Sequence, residues 1–361
     1  PDLARQVVAK VLGIDKARVQ VNLTWLGGGF GRRLEMDVIA QAAFIAKACE
    51  GRPVQTVWDR TQDLQHDFYR PAASSRFKAG LDEDGQLTAW VNHSASQAIV
   101  PQALHRLFGI PAAGPDKTTA EGAFDQAYEW PHVLVSHSTV DLPIPVGFWR
   151  SVGHSHHAFF KESFVDEVAH ATGRSPLELR LAWLKQHPRH THALKEVTQR
   201  SGWQHEPFRA PDGSTRAKGL ALHESFGSIV AQVAEVSVQT NTIRVHRVWC
   251  VIDAGTVIHP DLVAQQMESA VAFGLSAALH GEVRIEKGRV QHTNFHDQPV
   301  LRLNEMPEVE TYIVPSQQPP EGVGEPGTPP LAPAVANAVF ALTGQRLRQL
   351  PLRLNASKDP A

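Results

Sequence analysis

The chain has 361 residues, 42% hydrophobic and 20% charged, enough for roughly two domains of ~150 residues with buried cores. Lys and Arg number 35 against 37 Asp and Glu, a formal charge of -2, so there is no basic field to hold nucleic acid or an anionic membrane. Two cysteines, Cys49 and Cys250, cannot make a four-cysteine iron–sulfur or zinc site and read as free buried thiols, and no apolar run reaches the ~18–20 residues of a membrane span. The first residue is Pro1 and the first methionine Met36, with no signal peptide ahead, so the chain is expected to be a processed product or the rear portion of something longer.

In chain order, Leu3, Val7, Val8 and Val11 give a helical apolar face after Asp2, stopped by Gly13. Val19, Val21, Leu23 and Trp25 alternate, which predicts a strand over 18–26 running into Gly27-Gly28-Gly29-Phe30-Gly31. A helix over 34–49 and a buried strand over 54–58 follow. Residues 77–81 and 87–91 flank Asp82-Glu83-Asp84-Gly85 as a hairpin. The Pro-, Gly- and Ala-rich stretch 98–130 reads as irregular, 133–140 as a strand, and Pro143-Ile144-Pro145 as a break. Helices are expected over 157–172 and, behind a capping box at Ser175-Pro176-Leu177-Glu178, through Leu184. The polar stretch 187–218 is the best boundary, dividing the chain into domains 1–205 and 206–361. Beyond it come a hairpin (230–238 and 243–251), a small-residue-rich helix over 261–279, two short strands about Lys287-Gly288 and a strand over 309–314. A Pro- and Gly-rich loop, 315–333, then leads to a helix over 334–342. Hairpins and helices in no βαβ rhythm predict an α+β fold, hairpins and mixed sheets packed with helices, rather than a doubly wound sheet.

Four places could carry chemistry. The turn Gly27 to Arg33 is shaped as an anion cradle, yet it lacks the Gly-Lys-Ser/Thr of a P-loop and the third glycine of a dinucleotide fingerprint. His154, His156 and His157 lack a partner motif for a metal, and chance clustering among 19 histidines explains them better. Ser155 sits in a near-miss of the nucleophile elbow, which leaves a serine hydrolase as a weak rival. In Glu321-Gly322-Val323-Gly324-Glu325-Pro326-Gly327, prolines stiffen the backbone and glycines remove side chains that would crowd a ligand. Glu325 is then a candidate general base on a rigid loop, beside the alternative of a surface carboxylate in a Pro-rich connection.

These segments together with His66-Asp67-Phe68-Tyr69-Arg70-Pro71-Ala72, Trp149-Arg150-Ser151-Val152-Gly153 and Ile252-Asp253-Ala254-Gly255 occur in one order. The series resembles the molybdenum-binding subunit of the xanthine oxidase family, in particular the isoquinoline 1-oxidoreductase beta-subunit branch with its bacterial membrane-associated aldehyde dehydrogenases. The likeness spans nearly the whole chain and implies two molybdenum-cofactor-binding domains. It implies that Glu325 is the catalytic glutamate and that Gly28, Gly29, Phe30 and Gly31 present backbone N–H groups to the cofactor. Arg150, Gln266 and Gly324 would lie at the cofactor, with Ser225, Phe226 and Gly227 in a further loop beside it. Trp149, Leu34 and Val152 would line the substrate pocket. The metal would take no protein side chain, being held by the pterin dithiolene and carrying oxo and sulfido ligands.

Two departures shape the expected activity. Leu34 replaces an acidic residue and Val152 an aromatic one of the purine-oxidising members, which turns the expectation from purines toward an aldehyde or an N-heteroaromatic ring. A Gly-Gln-rich cofactor loop and a further glutamine of the family are absent, so a missing N-terminal portion or a second molybdenum-domain chain should complete the site. The resemblance further implies molybdopterin cytosine dinucleotide, [2Fe-2S] clusters on a partner subunit, a cytochrome c as acceptor, and a periplasmic or membrane-associated setting reached through partners. The rival from another class is a non-catalytic scaffold that only packs against a partner.

Overall fold

Two hydrogen-bonded sheets and a small ribbon, joined by helices, carry the chain, and the computed structural model describes residues 1–111 and 114–354. Helix α1 (Asp2–Leu12) ends at Gly13 in the left-handed region, and α2 (Asp37–Ala48) follows the glycine-rich turn. After α3 (Arg60–Gln65), β1 (Ala73–Leu81) and β2 (Leu87–Ser96) form an antiparallel hairpin. Helices α4 (Val100–Phe108) and α5 (Lys117–Ala120) precede β3 (Val133–Thr139), which pairs parallel to β2. Three helices follow, α6 (Val152–Ala171), α7 (Pro176–Ala182) and α8 (Pro188–Ser201). The second sheet comprises β4 (Phe208–Arg209), β5 (Thr215–Ser225), β6 (Ser228–Gln239) and β7 (Thr242–Asp253). Helix α9 (Pro260–Leu279) and the ribbon of β8 (Ile285–Glu286) with β9 (Arg289–Val290) come next. β10 (Glu308–Ile313) then joins the second sheet parallel to β7, giving the order β10-β7-β6-β5-β4, and α10 (Leu331–Thr343) closes the fold. Helices and mixed sheets in this order are the α+β arrangement expected.

Both faces of the second sheet are covered, which explains its nearly continuous apolar strands. Ile229, Ala231, Val233, Trp249 and Val251 face a cluster with Val165, Leu179, Leu184, Leu194 and Val197 from α6, α7, α8 and the segment between α7 and α8. Ala234, Val236, Val245 and Val248 pack on the other side against α9 and α10. Gly219 of β5 lets α10 sit on the strand, since a Cβ there would overlap the Ala334 carbonyl. Helix α6 ties the two sheets together. Phe164 stacks on Phe77 at 5.0 Å, and its neighbour Glu162 accepts from Arg180 at 2.9 Å, Tyr128 at 2.8 Å and the Leu222 N–H at 3.0 Å.

Several expectations change. The segments 18–26 and 54–58 belong to no sheet among the described residues, and Leu23, Trp25 and Val57 are exposed. Alternation at 18–26 and β-branched and aromatic residues at 54–58 show that a segment can pair, but a ladder needs a neighbouring backbone, and neither segment has one here. The stretch 98–130 is not all irregular: Val100–Phe108 is helical, with proline in its first turn and Gly109 as its left-handed cap. The stretch 187–218 contains α8, whose buried Ala193, Leu194 and Val197 sit at helical spacing among polar residues, and the first residues of β5. Ser175 precedes α7 with no side-chain cap, so the capping box does not form. Cys250 is buried, whereas Cys49 is half-buried, and both are free.

Candidate active site

Three loops meet at the start of α6. The glycine-rich turn bends through Gly28 at φ 124°, Phe30 at φ 49° and Gly31 at φ 95°. A Cβ on Gly31 would stand 2.8 Å from the Trp149 N and overlap the Phe148 carbonyl, so this glycine lets the turn lie against residues 148–149. A Cβ on Gly28 would press on the Phe30 ring, while Gly29 accepts a backbone hydrogen bond from Arg33 at 3.4 Å. The second loop, Trp149-Arg150-Ser151-Val152, holds two consecutive non-glycine residues in the left-handed region, Ser151 at φ 72° and Val152 at φ 44°. Positive φ at a β-branched valine costs of order 1–3 kcal/mol and persists only where the surroundings enforce it.

What enforces it is the third loop. Ser151 N–H donates to Glu325 Oε1 at 2.9 Å and Ser151 Oγ to the Glu325 carbonyl at 2.7 Å. The carboxylate of Glu325 is thereby fixed at the N-terminus of a 20-residue helix, where the macrodipole favours negative charge. Arg150, 3% exposed, donates from Nε to the Gly324 carbonyl at 2.7 Å, from Nη1 to Ser269 Oγ at 3.0 Å and from Nη2 to Gln266 Oε1 at 3.2 Å. Burial pulls its pKa down while the charge of Glu325 opposes that pull. The Arg150 guanidinium lies 5.6 Å from the Phe30 ring centre and 5.7 Å from that of Phe273. Phe273 stacks on Phe30 at 5.0 Å and tilts against Trp149 at 4.7 Å.

The turn between β5 and β6 joins from the side. Phe226 accepts from the Gly322 N–H at 3.1 Å, Ser228 Oγ donates to the Gly322 carbonyl at 2.6 Å, and Gly227 leaves room for the Glu321 carboxylate. Ser225, Phe226 and Gly227 also border a cavity of about 250 Å³ with His154, Asp125 and Glu224. The sequence-predicted residues Phe30, Gly31, Trp149, Arg150, Gln266, Gly324 and Glu325 are therefore brought together, with Ser225 to Gly227 against the same loop. Val152 starts α6 beside them, and Leu34 lies on the turn after Gly31, more than half exposed and outside the hydrogen-bonded cluster. Ser269 and Phe273 are additional to the sequence reading. Their signal is the three- and four-residue spacing of Gln266, Ser269 and Phe273 along one face of α9.

Neither of the other candidate chemistries is assembled. Ser155 Oγ donates to the Val152 carbonyl at 2.7 Å and accepts from Arg70 at 2.8 Å, and no histidine pairs with it among the described residues. No group of three His, Cys, Asp or Glu is placed to hold a metal ion among the described residues. The site instead fits a polar ligand of some size. A Cβ on Gly324 would meet nothing within 4 Å, Ser225 Oγ is buried without a partner, and the exposed Gln266 amide is anchored through its oxygen alone.

Residues 1–184 and 165–307 match the molybdopterin cofactor-binding domain family. The isoquinoline 1-oxidoreductase subunit beta of Brevundimonas diminuta is 34% identical over 98% of this chain and 45% of its own length. A membrane-bound aldehyde dehydrogenase of Gluconacetobacter polyoxogenes is 29% identical over 96% of this chain and 47% of its own length. The chain thus spans about half the length of these relatives. Quinoline 2-oxidoreductase from Pseudomonas putida 86 shares the fold, with a TM-score of 0.75 and 14% identity over 94% of this chain and 68% of that one. Matched along most of its length by these molybdopterin-binding domains, the chain belongs to the molybdenum-binding subunits of the xanthine oxidase family.

Proposed function

We propose that the chain forms the catalytic-base side of a molybdenum hydroxylase site that oxidises an aldehyde to a carboxylic acid, or hydroxylates an N-heteroaromatic carbon, with oxygen derived from water. The observation that carries this reading is Glu325. Its carboxylate is held at the head of α6 by the Ser151 N–H, beside the buried Arg150 and the open face of Gly324. A positioned carboxylate of this kind accepts a proton from an oxygen nucleophile without having to reorganise. The cofactor would supply the two-electron oxidation and the oxygen-transfer centre. Backbone N–H groups of Gly28 to Gly31, the Gln266 amide and Ser225 Oγ would hold it, and Arg150 would fix the loops that surround it. Leu34 offers no charge and Val152 no aromatic face to grip a ring, which supports an aldehyde over an N-heteroaromatic substrate.

The two cysteines are free, so electrons would leave through [2Fe-2S] clusters on a partner subunit, toward a cytochrome c. Molybdopterin cytosine dinucleotide is the form proposed for the cofactor. Polypeptide supplying the rest of the cofactor site would also cover the unpaired segments 18–26 and 54–58. A periplasmic or membrane-associated setting through such partners accords with the membrane-bound relative, since no described helix is long and apolar enough to cross a membrane by itself. In the assembled enzyme, Glu325→Gln should keep its molybdenum while turnover of benzaldehyde and of isoquinoline falls about 10²–10⁴-fold. Unchanged turnover in that variant rejects the assignment, and the wild-type ratio for the two substrates selects between aldehyde and ring.

A further inference from the structure

Arg70 is a cation without an acid. Arg32, Arg106, Arg180 and Arg189 each pair with a carboxylate, but no carboxylate among the described residues pairs with Arg70. Its Nη2 donates to Ser155 Oγ at 2.8 Å in the first turn of α6, and its guanidinium lies 4.3 Å from the Trp149 ring centre. Neither contact neutralises the charge. Desolvation pulls its pKa down to about 10, yet part of the residue still reaches solvent. The placement is specific. Trp149 adjoins Phe273, which stacks on Phe30, so the guanidinium stands at the end of an aromatic row that starts at the glycine-rich turn. Trp149 is also the residue before Arg150 and Ser151, which fix the Glu325 loop.

A desolvated guanidinium is costly unless an anion completes it, and its planar fork matches a carboxylate or phosphate bidentately. We propose that Arg70 is an oxyanion-binding residue that pairs with the carboxylate of an acidic substrate or with the phosphate of the bound cofactor, beside the ring of Trp149. Its place next to the chemistry rests on the function proposed above, whereas its affinity for an oxyanion does not.

The test uses the assembled enzyme with Arg70→Met and, in case that variant does not fold, Arg70→Lys, which keeps the charge but loses the fork. Benzoate binding is followed by calorimetry, KM is compared for 4-carboxybenzaldehyde and benzaldehyde, and pterin phosphate is counted per complex. If the anion belongs to the substrate, benzoate binding is lost and KM rises about 10–100-fold for the carboxylated aldehyde, with benzaldehyde unchanged. If it belongs to the cofactor, pterin phosphate per complex falls while folding, read by circular dichroism, persists. Wild-type benzoate affinity together with full cofactor content in Arg70→Met overturns the proposal, as does an acidic side chain of a partner polypeptide found on the guanidinium. Benzoate titration reads the same whether or not the enzyme turns over, so failure here is distinct from failure of Glu325→Gln.

Discussion

At Gly31 geometry, not preference, excludes a side chain. With φ 95° and the 148–149 backbone against it, Gly31→Ala must push the glycine-rich turn away from the loop that carries Arg150. The expected cost is of order 1–3 kcal/mol, with a lower molybdenum content in the assembled enzyme, checked by urea midpoint and metal analysis. Gly324→Ala separates the two readouts, because its Cβ meets nothing in the chain and should leave the urea midpoint unchanged, while it enters the space proposed for the cofactor. Gly31, Arg150, Gln266 and Glu325 are legible in the sequence as one cluster because each lies in a contiguous motif, and the structure brings those motifs together. Ser269, Phe273 and Arg70 are not, because each meets its neighbours only when a helix packs against a loop distant in sequence. Ser155 shows the converse. A near-motif suggested a nucleophile, but its hydroxyl is spent inside the first turn of α6.

Helix α6 is unusual as an element because it buries polar groups. His154, His156 and His157 lie within its first two turns, and His223 of β5 faces them, with His154 Nδ1 and His223 Nε2 3.0 Å apart. Lys161, Arg70, His137 and His190 repel their protonation, whereas Asp125 and Glu224 favour it at His154 and the Thr119 carbonyl favours it at His156 and His157. Burial dominates, lowering His154 to about 4 and His157 to about 3, and His156 and His223 well below the ordinary value. A depressed folded pKa means that the unfolded chain takes up protons first. Stability is then full above the unfolded pKa of about 6.5 and is lost as pH falls from there toward 4. The slope is at most about 1.4 kcal/mol per pH unit for each histidine. Urea midpoints between pH 7 and pH 5 should fall accordingly, and His223→Gln should flatten the curve; a pH-independent midpoint would show that these imidazoles are not held neutral. The same burial explains which elements the sequence hides. Strand β5 carries Lys218 and His223 among its buried apolar residues, and α8 sets its few buried apolar residues in a polar run, so neither stands out, whereas β6 and β7 read as nearly continuous apolar runs and α9 as a long run of small and apolar residues.

For the whole molecule, one group of exposed apolar residues lies ahead of the first sheet. Leu23 is 76% exposed, Val57 74% and Phe44 68%, and Trp25 is fully exposed. The two segments read as strands, 18–26 and 54–58, flank α2, a strand–helix–strand order that ordinarily places both strands in one parallel sheet. Here they pair with no strand among the described residues, while this chain covers 45% and 47% of two relatives' lengths. Burying a tryptophan's ~150–250 Å² at about 25 cal/mol per Å² is worth ~4–6 kcal/mol, so covering Trp25 alone would contribute strongly to assembly. Backbone pairing by the polypeptide proposed to complete the cofactor site has a direct signature. In the assembled enzyme, amides of residues 19–26 and 54–58 should exchange with deuterium at least tenfold more slowly than in the isolated chain, while those of β6 and β7 stay unchanged. Trp25→Asp should weaken assembly without altering the urea midpoint of the isolated chain, because the side chain touches nothing that this chain buries. Equal exchange in both states would mean that the alternation at 18–26 serves no strand at all, and that the completing polypeptide docks elsewhere.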